Sequence, residues 1–334
     1  MPASVVIVAY HAGAALERCL ASLAGQGQLE VLVVDNGGGG PELDSAERAD
    51  GVEVLRPGRN LGFAGGCNAG AAAARGDVLV FVNPDTVAEP GTVAALVDAL
   101  ADPAVGIAMP RLRLLDEPEL LNSGGNVVHV TGIAWAGGYR EPASEVRNRA
   151  EIPYASGAAL AIQAPLFREL GGFTDALFMY QEDLELGWKA RMRGLRVVVV
   201  PEANVLHDYD YARHPFKHYL LERNRLVFLL SAYSGRLLAL LAPLLLATEV
   251  GMAALAAREG WLRDKARGWA WIVRNGRWLA AHRRETQRLR RVGDRELAPY
   301  LTAVLDPAML DLPSAVRVAN PFVSAYWSLV RRLL

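Results

Sequence analysis

A short apolar run that stops abruptly sets the strongest constraint on this chain. Val78-Leu79-Val80-Phe81-Val82 has no polar interruption and gives way at once to Asn83-Pro84-Asp85-Thr86. Val, Leu and Phe without alternation suit a strand covered on both faces, as in the middle of an α/β sheet. Pro84 has no N–H for a ladder, so the strand ends before it. Asn83 and Asp85 are left at the carboxyl end of a central strand, where open α/β sheets bind ligands. An oxygen-rich pair there suits a hard divalent cation and, through it, a diphosphate. Taken alone, the stretch reads more simply as a strand-to-helix turn, with Asp or Thr capping a helix near Pro90.

The surrounding chain repeats the pattern. Ser4–Tyr10 reads as a buried strand, and Leu16, Cys19, Leu20 and Leu23 follow at helical spacing. Glu30–Val34 is a second buried strand, ending at Asp35-Asn36 and the glycine run 37–40. Val52–Leu55 is a short third strand. Leu61–Arg75 starts glycine-rich and becomes an alanine-rich helix, leading into the Val78–Val82 strand. Strand and helix in strict alternation imply parallel pairing and a doubly wound sheet. Polar residues stand at three strand exits: Tyr10-His11, Asp35-Asn36 and Asn83-Pro84-Asp85. Converging on one sheet edge, the three together point to a nucleotide site, where one alone would mean little. No G-x-G-x-x-G follows the first strand, and no P-loop is present. The glycines fall later, in Arg59-Asn60-Leu61-Gly62-Phe63-Ala64-Gly65-Gly66-Cys67-Asn68-Ala69-Gly70. They read as a loop that approaches a ligand closely and offers helix N–H groups to an anion.

Thr92–Leu100 has helical spacing, Gly106–Pro110 reads as a strand, and residues 111–152 carry little regular pattern. A stretch of that length is either functional, as an acceptor-binding loop would be, or mobile. Pattern returns at 154–162 and in a short helix, Pro165–Leu170. Then comes Phe173-Thr174-Asp175-Ala176-Leu177-Phe178-Met179-Tyr180-Gln181-Glu182-Asp183. Leu184–Arg193 is amphipathic, with Leu184, Trp188 and Met192 inward and Gly194 as its C-cap. Glu182 and Asp183 thus sit at a helix N-terminus, whose dipole favours their ionised forms, although simple N-capping is the plainer reading. Val197–Val200 is a buried strand ending at Pro201, with His207 a few residues on.

Composition bounds the rest. With 334 residues, 52% hydrophobic, and a formal net charge of −1, the chain suits one large domain plus an addition, with no global attraction to nucleic acid. Its two cysteines, Cys19 and Cys67, form neither a disulfide framework nor a metal spacing. Cys19 reads as core, and Cys67 as part of the glycine-rich loop. Met-Pro-Ala-Ser runs straight into a strand, so a cytoplasmic location is expected. From 216 the character changes. Leu226–Ala257 is strongly apolar but interrupted by Arg236 and Glu249, and its uncharged part falls short of the roughly 20 residues of a spanning helix. An arginine-rich stretch with Trp261, Trp269, Trp271 and Trp278 follows. Two buried helices would explain the apolar part. The Trp–Arg combination points to a re-entrant or interfacial pair on the inner face of the cell membrane, against anionic lipid. Ser314–Leu334 reads as a last helix packing back.

These stretches resemble a family-two glycosyltransferase with the GT-A nucleotide-diphospho-sugar transferase fold, in its rhamnosyltransferase-like branch. The likeness covers about the first two-thirds of the chain, in order: Ser4–Tyr10, Val33–Asn36, Arg59–Gly70, Asn83–Thr86, Ser156-Gly157-Ala158, and Gly171–Asp183 with His207. It implies a mostly parallel central sheet flanked by helices over 1–215 and a helical, membrane-associating region over 216–334. It implies that Ala9, Tyr10, Asp35, Arg59, Asn60, Gly65, Asn68 and Asn83 bind a nucleotide-sugar donor, dTDP-rhamnose or a UDP-sugar. Asp85 matches the last residue of the family's D-x-D motif and His207 a downstream histidine, together holding Mn²⁺ or Mg²⁺. Asp183 matches the catalytic base, with Glu182 supporting it. Asn83 replaces the first acidic residue, bringing an oxygen but no charge. Gly37–Gly40 replaces a turn often rich in Ser, Thr or Asp. The implied chemistry is a single in-line displacement, with inversion, onto a glycan or polyprenyl-diphosphate-linked acceptor of cell-surface polysaccharide assembly. Other readings are a catalytically silent membrane scaffold of the same fold, or a nucleotidyltransferase. Retention of Asp35, Asp85, Asp183 and His207 opposes the first. The second lacks a basic glycine-rich signature after the first strand.

Overall fold

A computed structural model describes residues 1–209, 217–306 and 316–334. Two compact units emerge. The first contains Met1–Asn126, Ala136–Ala190 and residues 195–209. The second contains Val127–Trp135, Arg191–Gly194 and the described residues from Lys217 on. The expected boundary at 215/216 and the start of the last helix at Ser314 lie outside the described residues.

Apolar runs build the first unit's sheet from its middle. β1 (Ala3–Ala9), β2 (Glu30–Asp35), β3 (Val52–Leu55) and β4 (Val78–Val82) pair in parallel, with β1 between β2 and β4. Every residue of β1 and β4 is buried. Each such Val, Ile, Leu or Phe contributes about 1.5–3 kcal/mol by leaving water. β5 (Thr86–Ala88) follows directly, so Thr86 opens a strand rather than capping a helix. Further on are β6 (Val105–Leu114), β7 (Leu121–Ser123), β8 (Asn126–Val128), β9 (Ala134–Ala136), β10 (Ala150–Glu151), β11 (Ala159–Gln163) and β12 (Arg196–His207). The main sheet runs β10-β12-β6-β11-β4-β1-β2-β3, with β5 on β12 and β7 on β6. β11 lies antiparallel to both β4 and β6, and β12 is parallel to β6. The sheet is therefore mixed, with a parallel half from β4 to β3.

The helices of this unit are α1 (Ala14–Leu23), α2 (Pro41–Glu47), α3 (Gly62–Ala73), α4 (Thr92–Ala99), α5 (Ala164–Glu169) and α6 (Glu182–Met192). α1 buries Leu16, Cys19 and Leu23 as its spacing predicts. Leu184, Trp188 and Met192 are buried on α6, and Gly194 follows with φ 82°.

Four expectations need correction. The glycine-rich string is not a loop: α3 begins at Gly62, and Cys67 is a buried helical residue. A Cβ on Gly70 would stand 2.3 Å from Val6 Cγ1, and one on Gly66 would stand 2.7 Å from Val8 Cγ1. These glycines bring the helix close to β1. Residues 111–152 are not patternless, since β6 runs to Leu114 and β7 to β10 follow. These strands are two or three residues long, too short for a period to show. Pro201 does not end its strand, which continues to His207 across a register shift between Val200 and Asn204. A bulge relieves the ladder of the hydrogen bond proline cannot donate.

The fourth concerns the second unit, built on α7 (Lys217–Ala232), α8 (Gly235–Glu259), α9 (Leu262–Arg274), α10 (Gly276–Arg288) and a last helix, Val316–Leu333. α8 has 25 residues, with mean hydropathy 2.0 over its best 18-residue window, of which 11% is buried. By length and composition it could cross a membrane, contrary to the sequence expectation. Nor are α7 and α8 a buried pair: α7 is largely buried and α8 largely exposed. Glu249 on α8 pairs with Arg225 of α7 and with Lys265 of α9, the latter at 3.1 Å. Glu222 pairs with the same two cations. Burial pushes the Glu249 carboxyl up, but Arg225, Trp269 and Lys265 outweigh it and bring it to about 2.

Candidate active site

Strand direction collects the site at one edge. The carboxyl ends of β1, β2, β4 and β12 point the same way, and antiparallel β11 starts there, with Ala159 opposite Val82. Ala9, Asp35, Asn83, Gly157-Ala158 and His207 therefore share this edge. β5 turns back along β12, pairing Thr86 with His207. That register brings Asp85 and His207 together across a long sequence separation.

His207 Nε2 lies 3.4 Å from Asp85 Oδ1. The other ring nitrogen, Nδ1, stands 2.9 Å from Asn122 Oδ1. An amide oxygen only accepts, so Nδ1–H donates and Nε2 is the ring atom that faces the carboxylate. Two acceptors at that distance repel unless a proton or cation lies between them. Two ligands of one ion, each about 2.1 Å from it, span such a separation. The donor set thus fits a divalent cation. No third His, Cys, Asp or Glu joins it among the described residues. Asn122 is 2% exposed and comes from β7. Sequence reading passed over it because nothing in residues 111–152 marked a strand there.

Asp183 is fixed from a different direction. Its Oδ2 accepts the Gly157 N–H at 2.9 Å, and its Oδ1 accepts the Leu184 N–H at 2.7 Å. Ala158 O, one residue on, accepts the Asn83 N–H at 2.9 Å. The Gly157-Ala158 backbone thereby joins the Asn83–Asp85 exit to the carboxylate. Burial raises the Asp183 pKa to about 6, against the opposing pull of those backbone donors. Burial, then the charge on Asp183, pushes neighbouring Glu182 well above the usual carboxylate range, against the ionised form expected at a helix N-terminus. Phe178, Tyr180 and Gln181 all have φ between 65° and 68°, an unfavourable conformation for such side chains. Gln181 Oε1 and Glu182 Oε2 are buried without a hydrogen-bond partner among the described residues. Strain and open acceptors concentrated beside one carboxylate mark a place where a ligand is expected.

The glycine string supports this turn. Gly62, at φ 73°, passes so close to Phe178 that a Cβ would lie 2.5 Å from its carbonyl oxygen. Asn68 Nδ2 donates to Phe173 O at 2.7 Å and to Asp175 Oδ1 at 2.6 Å, and its Oδ1 accepts the Phe173 N–H at 3.0 Å. Asn68 therefore ties α3 to the loop before Glu182, and its amide is already engaged there rather than open to a donor. Gly65 packs within α3, where a Cβ would meet Leu61 Cβ at 3.0 Å.

On the other side, Asp35 Oδ1 accepts the N–H groups of Gly37, Gly38 and Gly39 at 3.2, 2.8 and 3.1 Å. The four-glycine turn wraps one carboxylate oxygen and leaves the second without a described donor. Asn60 Oδ1 accepts from Asn36 Nδ2 at 2.9 Å and from the Gly62 N–H at 2.8 Å. Buried Asn36 also accepts the Leu61 N–H at 2.7 Å, latching the β2 exit to α3. Arg59 and Tyr10 are exposed, and Ala9 is buried at the edge. Beyond the Asp85–His207 pair, the His207 ring lies 5.5 Å from Tyr209, which lies 5.8 Å from Tyr139. The segment read as an acceptor loop therefore reaches this edge.

Solved structures share the architecture. GalNAc-T7 with UDP, GalNAc and Mn²⁺ superposes with TM-score 0.59 at 20% identity, over 69% of this chain and 48% of that one. Staphylococcus aureus TarS 1-349 gives TM-score 0.51 at 15% identity, over 99% and 90%. The fold is that of the GT-A nucleotide-diphospho-sugar transferases. A family model described as "Glycosyl transferase family 2" matches residues 4–169. The N-acetylglucosaminyl-diphospho-decaprenol L-rhamnosyltransferase of Mycobacterium tuberculosis is 32% identical over 262 residues, 69% of this chain and 85% of that protein. A pre-mycofactocin glycosyltransferase of the same organism is 30% identical over 208 residues, but only 42% of its length is matched. The chain belongs to glycosyl transferase family 2, as its rhamnosyltransferase-like motifs imply, and is a glycosyltransferase.

Proposed function

We propose that this protein transfers a sugar, with inversion, from dTDP-rhamnose or a UDP-sugar to a hydroxyl of a polyprenyl-diphosphate-linked glycan in cell-surface polysaccharide assembly. One observation carries the reading. A single sheet edge holds the Asp85–His207 pair at 3.4 Å, and the Gly157-Ala158 backbone links the adjoining Asn83 to a buried carboxylate near pKa 6. The rhamnosyltransferase relative favours the deoxysugar donor and the lipid-linked acceptor.

Each group has a defined task. Ala9, Tyr10 and the open oxygen of Asp35 receive the base, and exposed Arg59 contacts the nucleotide. Asp85 and His207 would hold Mn²⁺ or Mg²⁺, which when bound would supply positive charge beside the leaving diphosphate. Asn122 fixes the tautomer that leaves Nε2 as a donor atom. Asn83 adds a neutral oxygen. Asp183, ionised above about pH 6, accepts the proton of the attacking hydroxyl. Glu182 and Gln181, each with a buried oxygen lacking a described partner, hydrogen-bond the acceptor sugar. Asn60, Gly65 and Asn68 act through the backbone, by holding α3 and the strained turn. One base and no protein nucleophile give a single displacement.

The second unit serves the membrane. Apart from Met1 and Tyr10, the exposed large apolar side chains of the described residues lie in it, Leu246, Val250, Val273, Val318 and Phe322 among them. The ion pairs of Glu249 favour α8 lying against the membrane from the cytoplasmic side over its crossing it, since they anchor it to α7 and α9.

The test pairs candidate donors with a GlcNAc-diphospho-lipid. Transfer should need a divalent cation, stop with EDTA, and give the inverted anomer by NMR. Asp85→Ala should lose metal-dependent donor binding. Full transfer in EDTA would refute the metal role, and a retained anomer the displacement.

A further inference from the structure

The face of α9 contains more cationic chemistry than packing explains. Arg263, Arg267, Trp271 and Arg274 fall at i, i+4, i+8 and i+11, and so share one side of the helix. With Tyr219 of α7 they line a groove of about 600 Å³. Its floor is apolar, with Trp271 and two alanines. Its two rings are gripped by guanidinium groups: Arg267 stands 4.7 Å from the Tyr219 ring, and buried Arg223 stands 5.2 Å from Tyr219 and 5.0 Å from Trp271. Arg267 has an acidic neighbour, Asp264, at 3.1 Å. Arg263 and Arg274 have no carboxylate within ion-pair distance among the described residues. The groove is thus a local excess of positive charge over an apolar floor.

We propose that this groove is the seat of the phosphate headgroups of an anionic bilayer. The inference rests on the peripheral-membrane reading and adds the place of contact. A guanidinium fork matches a phosphate's oxygens two at a time, and arginine gives up its hydration more readily than lysine. Trp271 and Tyr219 belong at headgroup depth, with an apolar ring toward the chains and a polar edge toward water. Rings held by cation–π contacts lose little further freedom on binding. A free phosphate would meet the arginines but leave the apolar floor uncovered; a bilayer surface covers both.

The test is flotation of the full chain with phosphatidylglycerol or phosphatidylcholine vesicles. Wild type should float with the first and not with the second. Arg263→Gln/Arg274→Gln should lower partitioning by roughly 30-fold, the factor expected if each surface arginine contributes about 1 kcal/mol. Arg284→Gln/Arg288→Gln, equal in charge on α10, should stay within about 3-fold of wild type if the groove rather than diffuse charge binds. Thermal midpoints should be alike for all three proteins, since every replaced side chain is exposed. Equal losses for the two pairs would reduce the groove to diffuse charge and overturn the site while leaving membrane binding intact. Failure of wild type to float would overturn both. Saturable quenching of tryptophan fluorescence by inorganic phosphate without vesicles would assign the groove to a free phosphate instead.

Discussion

Replacing Asp183 by Asn separates chemistry from folding more cleanly than any other change at this edge. The shape is kept, but the amide has one accepting oxygen where the carboxylate has two. One of the Gly157 and Leu184 N–H groups, now at 2.9 and 2.7 Å from an oxygen, would face an NH₂. An unsatisfied buried donor costs about 1–3 kcal/mol. Against that stands a gain. The carboxyl titrates at about 6 in the fold against an ordinary value of 3.8, because burial disfavours its charge. A raised pKa gives stability that is whole below the unfolded value and lost as pH rises through the folded one. Here the loss falls between about pH 4 and 6 and amounts to about 3 kcal/mol. Asn carries no charge and avoids it. The variant should therefore gain on wild type from about pH 4 to 6, level off above that, and melt within a few degrees of wild type at pH 8. Transfer should fall by 10²- to 10⁴-fold, the range for losing a positioned base, while nucleotide-sugar binding persists. Wild-type kcat/KM should show an acid limb near pH 6. Calorimetry across pH, donor titration and initial rates read all of this. Undiminished turnover by the variant, or an unchanged acid limb in it, would refute the base assignment.

Other expectations follow from the same geometry. Asn122→Leu removes the acceptor for His207 Nδ1–H and should weaken Mn²⁺ binding by 10- to 100-fold in titration calorimetry, with the histidine tautomer shifted in ¹⁵N spectra. Gly70→Ala forces a methyl to within 2.3 Å of Val6 Cγ1 and should cost about 1–3 kcal/mol in urea unfolding, by pushing α3 off β1. Glu249→Leu leaves Arg225 and Lys265, each 1% exposed, sharing Glu222 alone. It should destabilise the chain by about 3 kcal/mol, read as a lower thermal midpoint.

Asn83-Pro84-Asp85 shows where sequence reading succeeds and where it stops. An apolar run followed by proline states locally that a strand ends, and β4 ends at Val82. The ordered motifs from Ser4 to Asp183 sufficed for the family, since each is a short string with its own chemistry. The same reading mistook a helix for a loop at Gly62–Gly70. Glycine reports only that side chains are absent, and here Val6, Val8 and Phe178 from elsewhere in the chain explain why.

What the sequence determines by itself is the set of strands and helices with strong periods, their parallel beginning, and the chemical identities of Asp85, Asp183 and His207. Periodicity is a property of neighbouring residues, and it survives without a fold. Only the tertiary structure decided that β11 enters antiparallel at the centre, that β12 runs on through Pro201, and that Thr86 pairs with His207. Those registers are set by contacts between residues far apart along the chain. They bring Asp85 and Asn122 to the two nitrogens of one imidazole, and the peptide between Gly157 and Ala158 to both Asn83 and Asp183. No local pattern records that meeting, because its energy exists only once the sheet is closed.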